Sequence, residues 1–365
     1  MAEAPAQLKD WFNEARYRWF ADEVGRLSPG FDRKAFLRHV LEGLGERELL
    51  QRLRRTTEGL HLCLPGGYAE HLSLLRELAP RIGHGFVGIL PCDYVGCHGL
   101  HDFDTSMAAL AEFTRFGSGE FAVREFLRAD QDRALRQMLA WAQSPDEHVR
   151  RLASEGSRPR LPWSFRLERL VRDPSPTRPI LEALRADPSL YVRKSVANHL
   201  NDISKDHPDF MLALLEGWDL SHPHTAWIAR HACRSLIKAG HARALALFKV
   251  GTRPRLERAS LSLSPRRLAI GGTLALSAML KTGGRSTQRL VVDFAVHYVK
   301  QSGRPSRKVF KWKMLELEAG AELSLSKRMA LVQRSTRTLA PGLHRVELLV
   351  NGQSVDTREF TLTSR

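Results

Sequence analysis

Cysteine is scarce in this 365-residue chain, with only Cys63, Cys92, Cys97 and Cys233. Their spacing matches neither a zinc ribbon nor a Cys-x-x-Cys pair. Cys92, Cys97 and His98 lie close in sequence, but tetrahedral zinc needs a fourth well-spaced donor and none is evident. The expectation is free thiols, no metal and no cofactor. Long apolar runs are missing too, so no segment is suited to spanning a bilayer. The N-terminus lacks the basic-then-apolar order of a secretory signal, which leads to the expectation of a cytoplasmic protein with no membrane partner. Acidic residues are in deficit, 40 Asp/Glu against 56 Lys/Arg, giving a net charge of +16. Such an excess points to a polyanionic partner.

What is present falls into two regions. The apolar fraction of 43% is ordinary for a globular chain. Up to about Gly251, apolar residues recur at helical steps, as in Phe36, Val40 and Leu44, and breakers such as Ser28-Pro29-Gly30 and Asp187-Pro188 separate the runs. After Arg253 the period becomes two, in "RASLSLSP", "TLALSAML", "RLVVDFAVHYV", "FKWKMLELE", "ELSLSKRMALV" and "HRVELLV". Asn351-Gly352 between alternating runs signals a tight hairpin. Six or seven strands in about 110 residues suggest a β-sandwich. The expected architecture is therefore mainly α, residues 1–251, followed by a small all-β domain, residues 252–365. From Pro254 onward there are 20 Lys/Arg against 8 Asp/Glu, so the tail carries most of the net charge.

The helical region repeats. "SPDEHVRRLASEG" from Ser144 and "DPSLYVRKSVANH" from Asp187 align with Val149 on Val192, an offset of 43 residues; "HTAWIARHACRSL" is a weaker third copy with Ile228 in that position. A period near 40 is the mark of HEAT-type repeats, which stack into a solenoid. Val192, Val196, His199 and Ile203 form the expected buried stripe of the helix that starts near Leu190. A second ridge carries Lys194, Asn198, Asp202 and Lys205. Its counterparts are Arg151, Glu155 and Arg158 in the preceding repeat, with Arg160 just beyond, and Arg230 and Arg234 in the following one. For a single charge, a solvated helix face is the plainer reading. Cations recurring in register over three repeats suit a phosphate polymer better. Glu155 and Asp202 would repel phosphate, so they should face something that is, or becomes, positive. An N-alkylated base is cationic, and breaking its glycosidic bond builds oxocarbenium character on the sugar, which fixed carboxylates stabilise. They can also hold the attacking water. Trp163 in "RLPWSF" is either a core anchor or an exposed indole for a cation–π contact. Glu120, after Gly117-Ser118-Gly119, suits the positive end of a helix dipole.

At "VRKSVANHLNDISKDHPD" (Val192 to Asp209) the chain resembles the AlkC branch of the HEAT-like-repeat alkylpurine DNA glycosylases. "LKDWFNEA", "GLHDFDTSMAALAEFT", "GSGEFAVREFL" and "LASEGSRPRLPW" resemble that family in the same order. The resemblance implies release of 3-methyladenine and 3-methylcytosine from duplex DNA without conventional base flipping, by a monomeric, nucleoid-associated bacterial enzyme. It implies that the catalytic positions are Glu120, Glu155, Trp163 and Asp202, and that the strand-rich tail is an immunoglobulin-like domain. Glu125 stands where the family pattern has proline. The basic tail is expected to clamp DNA, with phosphate contacts from Arg253, Arg255, Arg304, Arg307 and Lys308. The rival expectation is a non-catalytic HEAT scaffold for nucleic acid or an acidic protein. A further one is a glycosylase-lyase using Lys194 or Lys205.

Overall fold

The computed structural model describes residues 7–300, 305–333 and 338–364. It divides into two compact units, Met1–Met211 with Gly217–Ala232, and Leu212–Glu216 with Cys233–Arg365. No helix among the described residues is long and apolar enough to cross a membrane.

The first unit is built of short helices packed in sequence order. Three of them carry the repeat: Glu147–Gly156, Leu190–Ile203 and Pro223–Ala232. The middle helix packs against both of the others. Val149, Val192 and Ile228, aligned by the repeat, are all buried. So is the whole stripe of Val192, Val196, His199 and Ile203. The repeat is also visible in the hydrogen bonds. Arg150 Nη1 donates to the carbonyls of Ser144 (3.0 Å) and Pro145 (2.9 Å), while Arg193, its repeat partner, donates to those of Asp187 (2.9 Å) and Pro188 (2.7 Å). Each arginine thus ties its helix to its own preceding loop. Side-chain caps from Asp146 and Ser189 start the two helices by accepting from backbone N–H groups that lack a helical partner. His199 crosses between the repeats: its Nδ1 donates to the Ser154 carbonyl at 3.0 Å. Burial pushes its imidazole down to about 3, since a charged ring would lose its water without gaining a carboxylate hydrogen bond.

The second unit holds a two-sheet sandwich. Its strands are β1 (Leu256–Ser264), β2 (Arg267–Ala269), β3 (Thr273–Thr282), β4 (Gln288–Tyr298), β5 (Ser306–Leu317), β6 (Glu322–Ala330), β7 (Gly342–Val350) and β8 (Gln353–Thr363). One sheet runs β1-β3-β6 and the other β2-β8-β7-β4-β5. All pairings are antiparallel except β2 with β8. Alternate residues of β3 (Leu274, Leu276, Ala278, Leu280) meet Leu290, Val292, Phe294 and Val296 of β4 in one core. The expected Asn351-Gly352 hairpin joins β7 to β8, with φ of 52° and 81°, and Asn351 accepts a left-handed backbone more readily than a β-branched residue would. The sequence does not announce β2, and it points to β8 only through the Asn351-Gly352 turn. β2 is three residues long, and in "QSVDTREFTLT" polar residues interrupt the period-two signal.

The short helices Arg234–Lys238 and Ala242–Leu247 belong to this second unit. Arg289 of β4 donates to the Phe248 carbonyl at 3.0 Å, and Asn351 donates to that of Gly251 at 2.7 Å. Gly352 and Gly240 approach so closely that a Cβ on Gly352 would lie 2.2 Å from the Gly240 Cα. This helical cover explains why β4 is buried on both faces.

Candidate active site

Three carboxylates come together at the ends of elements in the first unit. Glu155 lies in the last turn of Glu147–Gly156, and Asp202 in the last turn of Leu190–Ile203. Glu120 lies in the turn after Gly117-Ser118-Gly119, ahead of the helix Val123–Ala129. The adjacent Glu125, in the first turn of that helix, pairs with Arg128.

Arginines order the carboxylates. Arg158 places Nε and Nη2 on Asp202 Oδ2 at 2.8 and 2.7 Å, and Nη1 on Glu155 Oε1 at 2.5 Å. Arg151 pairs with Glu120 and lies 3.5 Å from Glu155, and its guanidinium stands 5.0 Å from the centre of the Tyr191 ring. Lys205 Nζ reaches Asp202 Oδ1 at 2.9 Å, and Ser118 donates to Glu120 at 2.6 Å. The result is one continuous chain, Glu120–Arg151–Glu155–Arg158–Asp202–Lys205. The part of the ridge that carries Glu155, Arg158 and Asp202 is therefore not a solvated face, whereas Lys194, Lys205 and Arg230 stay exposed. Asp202 is 3% exposed, Glu155 5% and Arg158 7%, because the packing of successive repeats turns the ridge of one helix toward the next. Inside that packing each carboxylate needs a cation partner, since an unpaired buried charge is very costly. Among the described residues, no hydrogen bond reaches the second oxygen of Glu120 or of Glu155. Those oxygens keep lone pairs for a ligand.

Trp163 is 62% exposed and adopts φ of 64°, a region that non-glycine residues rarely occupy. The core-anchor alternative is thereby set aside. Arg124, absent from the sequence reading, explains how that backbone is held. It is fully buried and donates to the carbonyls of Gly156 (3.0 Å), Arg158 (2.6 Å) and Phe165, bracketing the Trp163 loop. Burial and the neighbouring Arg158 lower its guanidinium to about 10, so it is still a cation at neutral pH. The signal was legible in hindsight: Arg124 and Glu125 are two charges inside an otherwise apolar stretch, Phe121 to Leu127.

The remaining candidates are dispersed. Arg160 forms a two-pronged pair with Asp206, both contacts 2.7 Å. Lys194 and Arg230 are exposed, Asn198 is half-buried, and Arg234 falls in the second unit. In the sandwich unit Arg253 and Arg255 are exposed, Arg255 donating to Ser286 at 2.8 Å. Arg307 reaches Glu347 at 3.2 Å, and Lys308 stands 5.5 Å from the Phe310 ring centre. Arg304 lies outside the described residues. Among the described residues, no cluster of His, Cys, Asp and Glu is arranged to hold a metal ion.

A Pseudomonas fluorescens alkylpurine DNA glycosylase, AlkC, solved bound to DNA containing an abasic site analog, superposes with a TM-score of 0.93 at 48% identity, covering 98% of this chain and 100% of that one. The chain belongs to the AlkC family of DNA glycosylases. Residues 116–236 match the DNA alkylation repair enzyme family, a span that holds every member of the carboxylate–arginine chain described above. Residues 257–364 match the C-terminal Ig-like domain of the uncharacterised protein YhaZ. YhaZ of Bacillus subtilis (strain 168) is 40% identical over 356 residues, 97% of this chain and 99% of that one.

Proposed function

We propose that this AlkC-family chain hydrolyses the N-glycosidic bond of cationic alkylated bases, 3-methyladenine and 3-methylcytosine, in double-stranded DNA. The observation that carries the reading is the chain of three carboxylates fixed by Arg151 and Arg158, with open oxygens on Glu120 and Glu155. An N3-methylated base departs from C1′ with the bonding electron pair and becomes neutral, so little acid catalysis is needed. Positive charge builds on the sugar, and carboxylates already oriented by buried arginines stabilise it without reorganising. One open carboxylate oxygen accepts a proton from the water that adds to C1′. Trp163, held out from the surface, faces the cationic lesion or its sugar. Because cations balance the carboxylates, DNA phosphates can approach them. Exposed cations of both units then add contacts along the backbone, among them Lys194, Arg230, Arg253, Arg255 and Lys308. The enzyme acts as a monomer with no cofactor and without a lysine imine: Lys205 is engaged by Asp202, and exposed Lys194 is assigned to the DNA backbone.

The test is incubation with methylated DNA and identification of the freed bases. Asp202→Asn and Glu155→Gln should each cut base release by about 10²–10³-fold, the usual range for removing one electrostatic stabiliser, while DNA affinity stays within a few-fold. Release of no alkylated base by the wild type overturns the reading in favour of a binding scaffold. A covalent adduct trapped by borohydride would replace hydrolysis with lyase chemistry.

A further inference from the structure

Two exposed tryptophans flank Phe86. The Trp11 and Phe86 ring centres are 6.1 Å apart, and those of Phe86 and Trp163 are 6.4 Å apart. Trp11 is 44% exposed, and Trp163 more so. Leaving two indoles in water forgoes a large apolar gain, which marks such surfaces as contact sites.

Both indoles are held by the same device. Arg52, itself buried, directs Nη1 to the carbonyls of Lys9 (2.9 Å) and Phe12 (3.0 Å), on either side of Trp11. Arg124 does the same around Trp163, through Arg158 and Phe165. In each case a buried guanidinium is devoted to main-chain carbonyls bracketing an exposed Trp. A buried cation is stable only with such hydrogen bonds, so each loop is locked and each ring is preorganised for a ligand. Phe86 also lines a cleft with Glu120 and Arg151, so the aromatic row starts at the carboxylates. Half-exposed arginines stand on both sides: Arg115 lines the cleft with Phe86 and pairs with Asp146 at 2.9 Å, and Arg54 lines a neighbouring hollow with Trp163 and pairs with Asp93 at 3.1 Å, each keeping part of its guanidinium in solvent.

We propose that Trp11, Phe86 and Trp163 form one shelf that takes an unstacked nucleobase of the DNA strand next to the lesion. This extends the reading of the carboxylate site as a DNA glycosylase centre. The occupant must be flat, aromatic and tethered to phosphate. A nucleobase meets those terms, and base–aromatic stacking needs no particular sequence. An apolar protein segment would gain from the rings but not from Arg54 and Arg115.

The experiment uses the full chain and a duplex with 2-aminopurine beside an abasic-site analogue. This fluorophore brightens when it leaves the stack into water and stays dim when it lies on a ring. The wild type should leave it dim, whereas Trp11→Ala and Phe86→Ala should brighten it several-fold, and Trp11→Phe should keep it dim. Affinity for the abasic duplex should fall about 10-fold for each ring removed, a typical loss for one stacking aromatic, while affinity for intact duplex is unchanged. A bright wild-type complex, a dim complex in every variant, or an equal loss on intact duplex overturns the shelf. Wild-type release of methylated bases, assayed in parallel, tests the glycosylase reading separately: the shelf can fail while release persists.

Discussion

Replacing Arg158 separates two jobs that sequence alone assigns to one residue. As a ridge cation it would be a phosphate contact; in the structure it is the clamp between Glu155 and Asp202. Its three contacts of 2.5 to 2.8 Å all lie in buried surroundings. Removing one partner of a buried ion pair typically costs about 3–5 kcal/mol, because the other charge stays buried and uncompensated. Arg151 at 3.5 Å still serves Glu155, and Lys205 at 2.9 Å still serves Asp202. Arg158→Met should therefore lose about 3 kcal/mol, the lower end of that range. Arg158→Lys keeps the charge without the planar fork, so it should satisfy one carboxylate and lose roughly half as much. Urea denaturation measures both. Base release should fall with stability, since both carboxylates lose their orientation. The salt dependence of DNA binding should not change, whereas loss of a phosphate contact lowers the slope of log K against log salt by about 1. A stable Arg158→Met variant with a slope reduced by one unit would refute the clamp.

Stability should fall in acid through His199. Its folded form protonates only near pH 3, whereas the unfolded ring takes up a proton near its ordinary 6.5. Between those values the unfolded state binds more protons, so stability declines as pH drops from about 6.5 to about 3, by an amount on the order of 5 kcal/mol. His199→Gln should flatten that part of the profile in urea melts across pH. In the sandwich, reversing Arg307 and Lys308 to Glu should weaken DNA binding and reduce the salt slope, by up to about 2 if both meet phosphate; an unchanged slope would remove them from the interface. Combining Asp202→Asn with Glu155→Gln should be markedly non-additive in stability, because both pair with the same arginine.

The positional regularities were readable before any coordinates. The 43-residue offset that aligns Val149 with Val192 sets the packing of two helices, and an apolar stripe at helical spacing must turn inward in any stacked arrangement. The change to period two and the Asn351-Gly352 turn likewise determine a sandwich, because side-chain alternation and positive φ are local properties. The carboxylates Glu155 and Asp202 stood out because acids are unexpected among cations in register. Family resemblance singled out Glu120 and Trp163.

What the sequence could not settle was which charge meets which. Arg158 and Lys194 occupy ridges of the same kind, yet one is buried between two carboxylates and the other is exposed. That difference comes from the neighbouring repeat and the loop between them, not from the helix itself. Arg124, Arg52 and Phe86 escaped notice for the same reason: their partners lie 32 to 41, 5 to 43 and about 75 residues away. Local sequence determined the periodicity and the turns, which depend on neighbours along the chain. Only the tertiary structure decided how the carboxylates are oriented and why Trp163 stands out from the surface, since ion pairing and burial depend on neighbours in space.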